Sequence, residues 1–190
     1  MKRKYEDIFK KAARYLSTRK NDIHVQVAYE FACRLLALYP DADEDIVLPA
    51  IILHDVGWNM VPEEKLLEAF GPNMKDKESH RLHEVEGARI AKEILESLNF
   101  DPVKIQEIVS IIEGHDSRKE AMSLNDKLVK DADKLWRFSA VGMDINEKLF
   151  QKGSEEHLDL LVPRIDEWFF MPESKDMARE ALNQAKKATP

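Results

Sequence analysis

The sequence contains a single cysteine, Cys33, which excludes an intramolecular disulfide. Glycine is scarce, with six residues among 190, and strand-like alternation of apolar and polar residues is rare. No apolar run approaches the length that spans a bilayer, and no signal-type apolar segment follows the basic N-terminus. The formal charge is −7 and the basic residues form no stripe, which argues against a nucleic-acid surface. We therefore expect a cytoplasmic globular protein with no membrane or nucleic-acid-polymer partner.

Apolar residues recur at helical spacing along nearly the whole chain, so we predict an all-α helical bundle forming a single domain over residues 1–190. Its core is expected over about residues 20–140, with C-terminal helices over 154–188 packing on it. Breaks are expected at Gly71–Asn73, at Gly142 and at Pro163, which lacks a backbone donor. The apolar neighbours of Cys33 indicate a small core residue. The helices are predicted over residues 5–16, 21–39, 43–54, 62–70, 79–98, 101–114, 126–138, 141–150, 154–170 and 172–188.

The stretch Ile51–Gly57 is the centre of the sequence, because an apolar helix ends there in His54 and Asp55. This helix is apolar nearly all round and is expected to be the most buried one. Burying an ionised carboxylate beside an imidazole is costly unless a positive charge lies between them. Neutral imidazole and carboxylate are both good ligands for a divalent metal ion. The pair therefore indicates a metal site.

Several further ionisable residues share a helical face with apolar residues. One histidine on such a face is usually a hydrogen-bonded core residue. Several buried histidines and acids together would destabilise a small domain unless a metal ion satisfied them. His80 and His157 stand among charged residues and are interpreted as surface residues. The inward-facing set is His24, His54, His83, His115 and Asp133.

This pattern resembles the HD-domain metal-dependent phosphohydrolases. The matching elements are His24, the pair His54-Asp55, and Asp133 in the context Ala132-Asp133-Lys134-Leu135, in the family's order. The resemblance spans about residues 20–140. It implies an all-helical HD fold in which His24, His54, Asp55 and Asp133 bind a divalent ion (Mn, Fe, Mg, Co, Ni or Zn) and Asp55 is catalytic. Asp131 is the alternative to Asp133 as the last ligand.

HD proteins that hold two metal ions take additional histidines from helices between the HD pair and the last aspartate, and His83 and His115 look like those positions. They either bind a second metal ion bridged through Asp55 or contact the substrate phosphate. The chain departs from the cyclic-dinucleotide branch, because Trp58 stands where that branch usually has lysine and no Gly-Tyr-Pro follows His115. Cyclic dinucleotides are therefore not the expected substrate.

The resemblance implies hydrolysis of a phosphate ester or anhydride, of a nucleotide or related small molecule, by metal-activated water. Arg81 and Arg118 are expected to bind the phosphate, because each lies close in sequence to a candidate site histidine and arginine binds phosphate bidentately. Lys134 and Arg137 are also available. The alternatives are a di-iron HD-type oxygenase and a non-catalytic metal-binding signalling module. The sequence leaves a homodimer open.

Overall fold

A computed structural model describes residues 2–70, 74–150 and 154–188 of the chain. Within these ranges the regular structure is helical and contains no strand, which confirms the all-α prediction. The break expected at Gly71–Asn73 lies outside the described residues. The helices are α1 (Arg3–Ala12), α2 (Asn21–Leu38), α3 (Glu44–Leu53), α4 (Leu66–Ala69), α5 (Lys77–Ser97), α6 (Pro102–Ile112), α7 (Leu124–Leu135), α8 (Ala140–Phe150), α9 (Ser154–Leu161), α10 (Arg164–Trp168) and α11 (Pro172–Ala188).

Helix α3 is the central helix, as its composition predicts. Every residue from Ile46 to Leu53 is buried, and the helix packs against α1, α2, α6 and α7. It begins at Asp43, whose side chain accepts a hydrogen bond from the amide of Asp45 at 2.8 Å and so satisfies one free donor of the first turn. Because α3 is enclosed on all sides, its C-terminal residues are delivered into the middle of the bundle.

The break predicted at Gly142 is wrong, because Gly142 lies inside α8 and the chain breaks at Ser139. Ser139 has extended backbone geometry, and its Oγ accepts the amide of Gly142 at 3.0 Å. A Cβ on Gly142 would lie 1.9 Å from the carbonyl oxygen of Trp136. The glycine therefore permits close packing of α8 and does not interrupt it. The break at Pro163, between α9 and α10, is confirmed.

Cys33 lies on the exposed face of α2, so its interpretation as a core residue is wrong. The buried stripe of this helix runs through Ala28, Ala32 and Leu35. Position 33 is rotated by about 100° from Ala32 and leaves this stripe. Apolar neighbours in sequence therefore did not mean apolar neighbours in space. No helix in the described part of the chain is long and apolar enough to cross a membrane.

The C-terminal helices contact the bundle through α7. The buried carboxylate of Asp131 accepts the amides of Phe170 and Met171, both at 2.9 Å, at the start of α11. Ala178 and Leu182 of α11 belong to the main hydrophobic core. Burial raises the pKa of Asp131 to about 6, although these hydrogen bonds oppose the shift. Asp131 thus faces α11. The exact bounds of the domain stay a prediction.

The contact between α1 and α3 predicts a pH-dependent stability. Burial opposes ionisation of Asp45, but hydrogen bonds from Lys4, Tyr5 and Lys104 outweigh it and lower the pKa to about 2. A carboxyl group with a lowered folded-state pKa stabilises above its ordinary pKa of about 3.9 and loses that stabilisation toward acid. We expect Asp45→Asn to lower the urea midpoint at pH 6 and to have a smaller effect at pH 3. Equal effects at both pH values would contradict this role.

Candidate metal centre

Four of the predicted metal-binding residues come together at the centre of the bundle. His24 comes from α2, His54 and Asp55 follow the last turn of α3, and Asp133 comes from α7. Oδ1 of Asp133 lies 3.0 Å from Nε2 of His24 and 3.4 Å from Nε2 of His54. All four side chains are buried. Three separate helices therefore supply one compact group, which we call the first triad: His24, His54 and Asp133.

His83 and His115 form a neighbouring group with a residue that the sequence analysis did not single out, Asp116. Nε2 of His83 lies 3.4 Å from Nε2 of His115. Oδ2 of Asp116 lies 3.8 Å from the first of these nitrogens and 3.7 Å from the second. We call this group the second triad. Asp116 follows α6 in a turn without helical periodicity, so its only signal in the sequence was its position next to His115.

Asp55 lies between the two triads and directs one carboxylate oxygen toward each. Oδ2 is 3.1 Å from Nδ1 of His24 and 3.7 Å from Nε2 of His54. Oδ1 is 3.6 Å from Nε2 of His115 and accepts the indole N–H of Trp58 at 3.0 Å. A carboxylate in this position can bridge two metal ions, one in each triad.

Two of the histidine rings, those of His54 and His115, are oriented as metal ligands require. Nδ1 of His54 lies 2.8 Å from the carbonyl oxygen of Ile51, and Nδ1 of His115 lies 2.8 Å from that of Ile112. A carbonyl oxygen only accepts, so each Nδ1 carries a proton, and each Nε2 faces the centre with a lone pair when its ring is neutral. Nε2 of His54 is buried and makes no hydrogen bond within the described chain. An unsatisfied buried group costs about 1–3 kcal/mol.

The spacing of the first triad also fits a metal ion. Ligands about 2.1 Å from a common ion lie about 3.0 to 3.4 Å from one another in octahedral or tetrahedral arrangements. The two measured separations to Oδ1 of Asp133, 3.0 and 3.4 Å, match that range. Together with the unpartnered Nε2 of His54, this spacing shows that the residues fit a divalent cation.

The electrostatics of the cluster favour a bound cation. Burial alone would raise the pKa of each carboxyl group, but positive neighbours hold the pKa values of Asp55, Asp116 and Asp133 well below the ordinary range. For Asp55 these neighbours are histidines, and for the other two they begin with Lys134. The carboxylates also raise the pKa of His115 to about 9 against the effect of burial. Two buried carboxylates, those of Asp55 and Asp133, and the half-buried carboxylate of Asp116 therefore surround the point where the histidine Nε2 atoms meet.

Two tryptophans hold the histidine rings in place. Trp58 stacks on His83 with ring centroids 4.0 Å apart and an interplanar angle of 11°. Trp136 stacks on His24 at 4.5 Å and 22°. Both indoles are buried, so they act as packing residues of the centre and are not open to a nucleobase.

His80, interpreted as a surface residue, is half-buried and packs beside Trp58 and His83. Its Nδ1 donates to the carbonyl oxygen of Ala69 at 3.0 Å. The surface interpretation is wrong because α4 and the turn Val56–Met60 cover this part of α5 with a small apolar cluster. The side chain of His157 lies outside the described residues.

The two arginines predicted to bind phosphate are paired with acids outside the two triads. Arg81 contacts Glu84 at 2.9 Å and Glu113 at 2.8 Å. Arg118 contacts Asp126 at 2.9 Å.

Two other cations lie against the centre. Nζ of Lys134 lies 2.6 Å from Oδ2 of Asp133 and also contacts Asp116. Nη1 of Arg137 lies 3.5 Å from Oδ1 of Asp133. Cations at the centre therefore come from α7 and the turn that follows it, and not from the positions nearest to the histidines in sequence.

Comparisons with known proteins agree with this architecture. The model of the HD domain family matches residues 8–137, a range that contains both triads and Asp55. The crystal structure of a predicted HD superfamily hydrolase from an uncultured Thermotogales bacterium is similar, with a TM-score of 0.64. The two chains are 18% identical over 96% of this chain and 87% of that one, so this likeness concerns the fold alone. The comparison with curated proteins finds no match.

Proposed function

The chain belongs to the HD-domain family, and on that basis we propose that it is a metal-dependent phosphohydrolase that uses two divalent ions. The observation that carries the proposal is the position of Asp55, with one oxygen toward each triad. His24, His54 and Asp133 would hold one ion, and the second triad the other. When bound, such ions lower the pKa of a coordinated water and offset charge on a phosphoryl oxygen.

The protein's own side chains provide the remaining chemistry. Asp55 is held as a carboxylate and receives the indole N–H of Trp58 on one oxygen. This hydrogen bond fixes the plane of the carboxylate, which can then orient a water and accept its proton. The buried indoles and aliphatic side chains around the centre exclude bulk water, which strengthens each of these electrostatic contacts.

We propose Lys134 and Arg137 as the residues that contact the substrate phosphate. Both already contact Asp133, so an anion beside that ligand would lie within reach of their donors. Arg81 and Arg118 are the weaker candidates, because Glu84 and Asp126 hold their guanidinium groups outside the two triads. Two cations suit one phosphate group of a nucleotide or a similar small molecule. A polymer would require a longer basic surface.

A di-iron oxygenase is the second candidate function. Four histidines divided between two triads, with a carboxylate between them, form a ligand set that suits iron as well as other divalent ions. The non-catalytic alternative is disfavoured by the complete set of ligands. Measuring phosphate release and oxygen consumption in parallel separates the phosphohydrolase from the oxygenase.

The test is metal analysis of the purified protein together with a phosphate-release screen. We expect about two ions per chain after loading with Mn²⁺ or Fe²⁺. Inorganic phosphate should be released from at least one class among nucleoside monophosphates, nucleoside triphosphates and sugar phosphates, and chelation should abolish the release. A fully loaded protein that releases no phosphate from any class but consumes oxygen would replace this proposal with the oxygenase.

The phosphate contacts are tested in the same assay by a matched pair of variants. Lys134→Met should lower kcat/KM about 10- to 100-fold, since a hydrogen bond to a charged group contributes about 1.5–3 kcal/mol. Lys127→Met removes the same charge from the same helix, away from Asp133, and should change kcat/KM much less. Metal content is measured for both variants, so that a lost ion is not mistaken for a lost phosphate contact.

A further inference from the structure

A buried lysine outside the metal centre holds the loop that carries two of its ligands. Lys130 lies on α7 and is only 4% exposed. Its Nζ donates to the carbonyl oxygens of Gly114 at 2.6 Å, His115 at 2.8 Å and Arg118 at 2.9 Å. An ammonium group has three protons, and here each has a backbone acceptor. A buried charge is costly unless it is satisfied in this way.

A buried glutamate holds the same loop from the opposite side. Glu84 on α5 is 0% exposed. Its Oε1 accepts the amide of Asp116 at 3.0 Å and the amide of Ser117 at 2.9 Å. Its Oε2 accepts Nη1 of Arg81 at 2.9 Å. The arginine predicted to bind phosphate thus supports Glu84.

These contacts fix the backbone on both sides of the ligand pair. Lys130 bonds to the carbonyl of His115, and Glu84 bonds to the very next amide, that of Asp116. The loop's own backbone hydrogen bonds near the ligand pair are long: the amide of His115 donates to the carbonyl oxygen of Ile112 at 3.4 Å, and that of Arg118 to Gly114 at 3.3 Å. Lys130 and Glu84 therefore add five hydrogen bonds to this backbone, which stabilise the loop with both ligands turned toward His83.

We propose that Lys130 and Glu84 are positioning residues that pre-form the second triad before metal binding. We call the pair the loop clamp. The inference rests on the two-ion form of the proposed function, and it adds that affinity for the second ion is set by residues that do not coordinate it. Outer contacts of metal ligands typically change metal affinity about 10- to 100-fold.

The test is a titration of the metal-free protein with Mn²⁺ alone, in which calorimetry measures the binding of each ion. Lys130→Met keeps the apolar stem but removes all three donors. We expect the affinity for the ion in the second triad to fall about 10- to 100-fold, while the ion in the first triad binds as before. Lys127→Met is the matched control, because it removes the same charge from the same helix and should leave both affinities unchanged.

A second variant keeps the proposal testable if Lys130→Met does not fold. Glu84→Met should weaken the second ion selectively and should speed hydrogen exchange of the Asp116 and Ser117 amides in metal-free protein. Glu84→Gln retains an acceptor oxygen and should restore part of both effects. These exchange rates need no metal, so they report on the clamp itself.

The failures of the two proposals are distinguishable. Folded Lys130→Met and Glu84→Met variants that bind both ions with wild-type affinities would overturn the clamp and leave the two-ion phosphohydrolase intact. A wild-type chain that never binds more than one ion would overturn the clamp together with the two-ion arrangement. Phosphate release by that single-ion protein would still support hydrolase function.

Discussion

Asp55→Ala is expected to remove most metal binding and activity while leaving the helices folded. Its carboxylate directs one oxygen toward each triad, so its loss is expected to weaken both ions at once. We expect metal content to fall from about two ions per chain to below one, and turnover to fall about 10³-fold, the equivalent of about 4 kcal/mol. Metal analysis, circular dichroism and phosphate release measure these three quantities.

Asp131→Asn provides the matched control for this result. Asp131 is another buried carboxylate, but it faces the start of α11 and not the metal centre. Its substitution should keep two ions bound and should lower thermal stability, the reverse of the result for Asp55→Ala. Full turnover by a metal-loaded Asp55→Ala protein would refute the role assigned to Asp55.

The double variant His83→Ala/His115→Ala should reduce the metal content from about two ions per chain to about one.

Gly57→Ala is expected to cause a large loss of stability by adding a single methyl group. A Cβ at this position would lie 1.9 Å from the carbonyl oxygen of His83 and 2.4 Å from the amide nitrogen of Gly87. Both atoms belong to the backbone of α5, so neither can rotate away. The backbone of Gly57 is not in the left-handed region, so a glycine is needed here for lack of space and not for its conformation. We expect a loss of about 3 kcal/mol or more, and a fall in Tm of about 10 °C.

Gly57→Ala should also weaken binding of the ion in the second triad. The turn Val56–Met60 that contains Gly57 carries Trp58, which stacks on His83. Moving this turn away from α5 would remove that support. Gly114→Ala is the control for stability alone, because its nearest new contact, at 2.4 Å, is the flexible end of the Arg118 side chain. Equal melting temperatures for the two alanine variants would show that the backbone contact at Gly57 is not tight.

Most helix positions and four inward-facing histidines could be predicted because their signals are local. A helix places residues three and four positions apart on one face, so the phase of His24 with Val27, Ala28 and Phe31 can be recognised without a structure. Local patterns failed where packing decided the outcome. Gly142 looked like a helix break, but it allows α8 to approach the carbonyl of Trp136. Cys33 had apolar neighbours in the sequence but lies on the outer face of α2.

The charged residues around the site also show where patterns in the sequence failed and packing decided the outcome. Charged side chains are long and each has several acids within reach, so closeness to a site histidine in the sequence did not predict which cations reach the centre. Arg81 and Arg118 stand near site histidines in the sequence but pair with Glu84 and Asp126. Lys134 lies against Asp133 and Asp116, which are separated by a loop and most of a helix. Only the packing of α7 against α2 and α3, which places Lys134 beside the loop that follows α6, could show this.

The amino-acid sequence by itself determined the all-α class, the enclosed helix that ends in His54 and Asp55, and the identity of the histidines that turn inward, because each depends on periodicity within one helix. The tertiary structure decided the rest. It directed Asp133 to the centre and Asp131 to α11, added Asp116 from a turn, and set Lys130 and Glu84 around the loop. Each of these outcomes depends on distances between helices, which periodicity along a single helix does not contain.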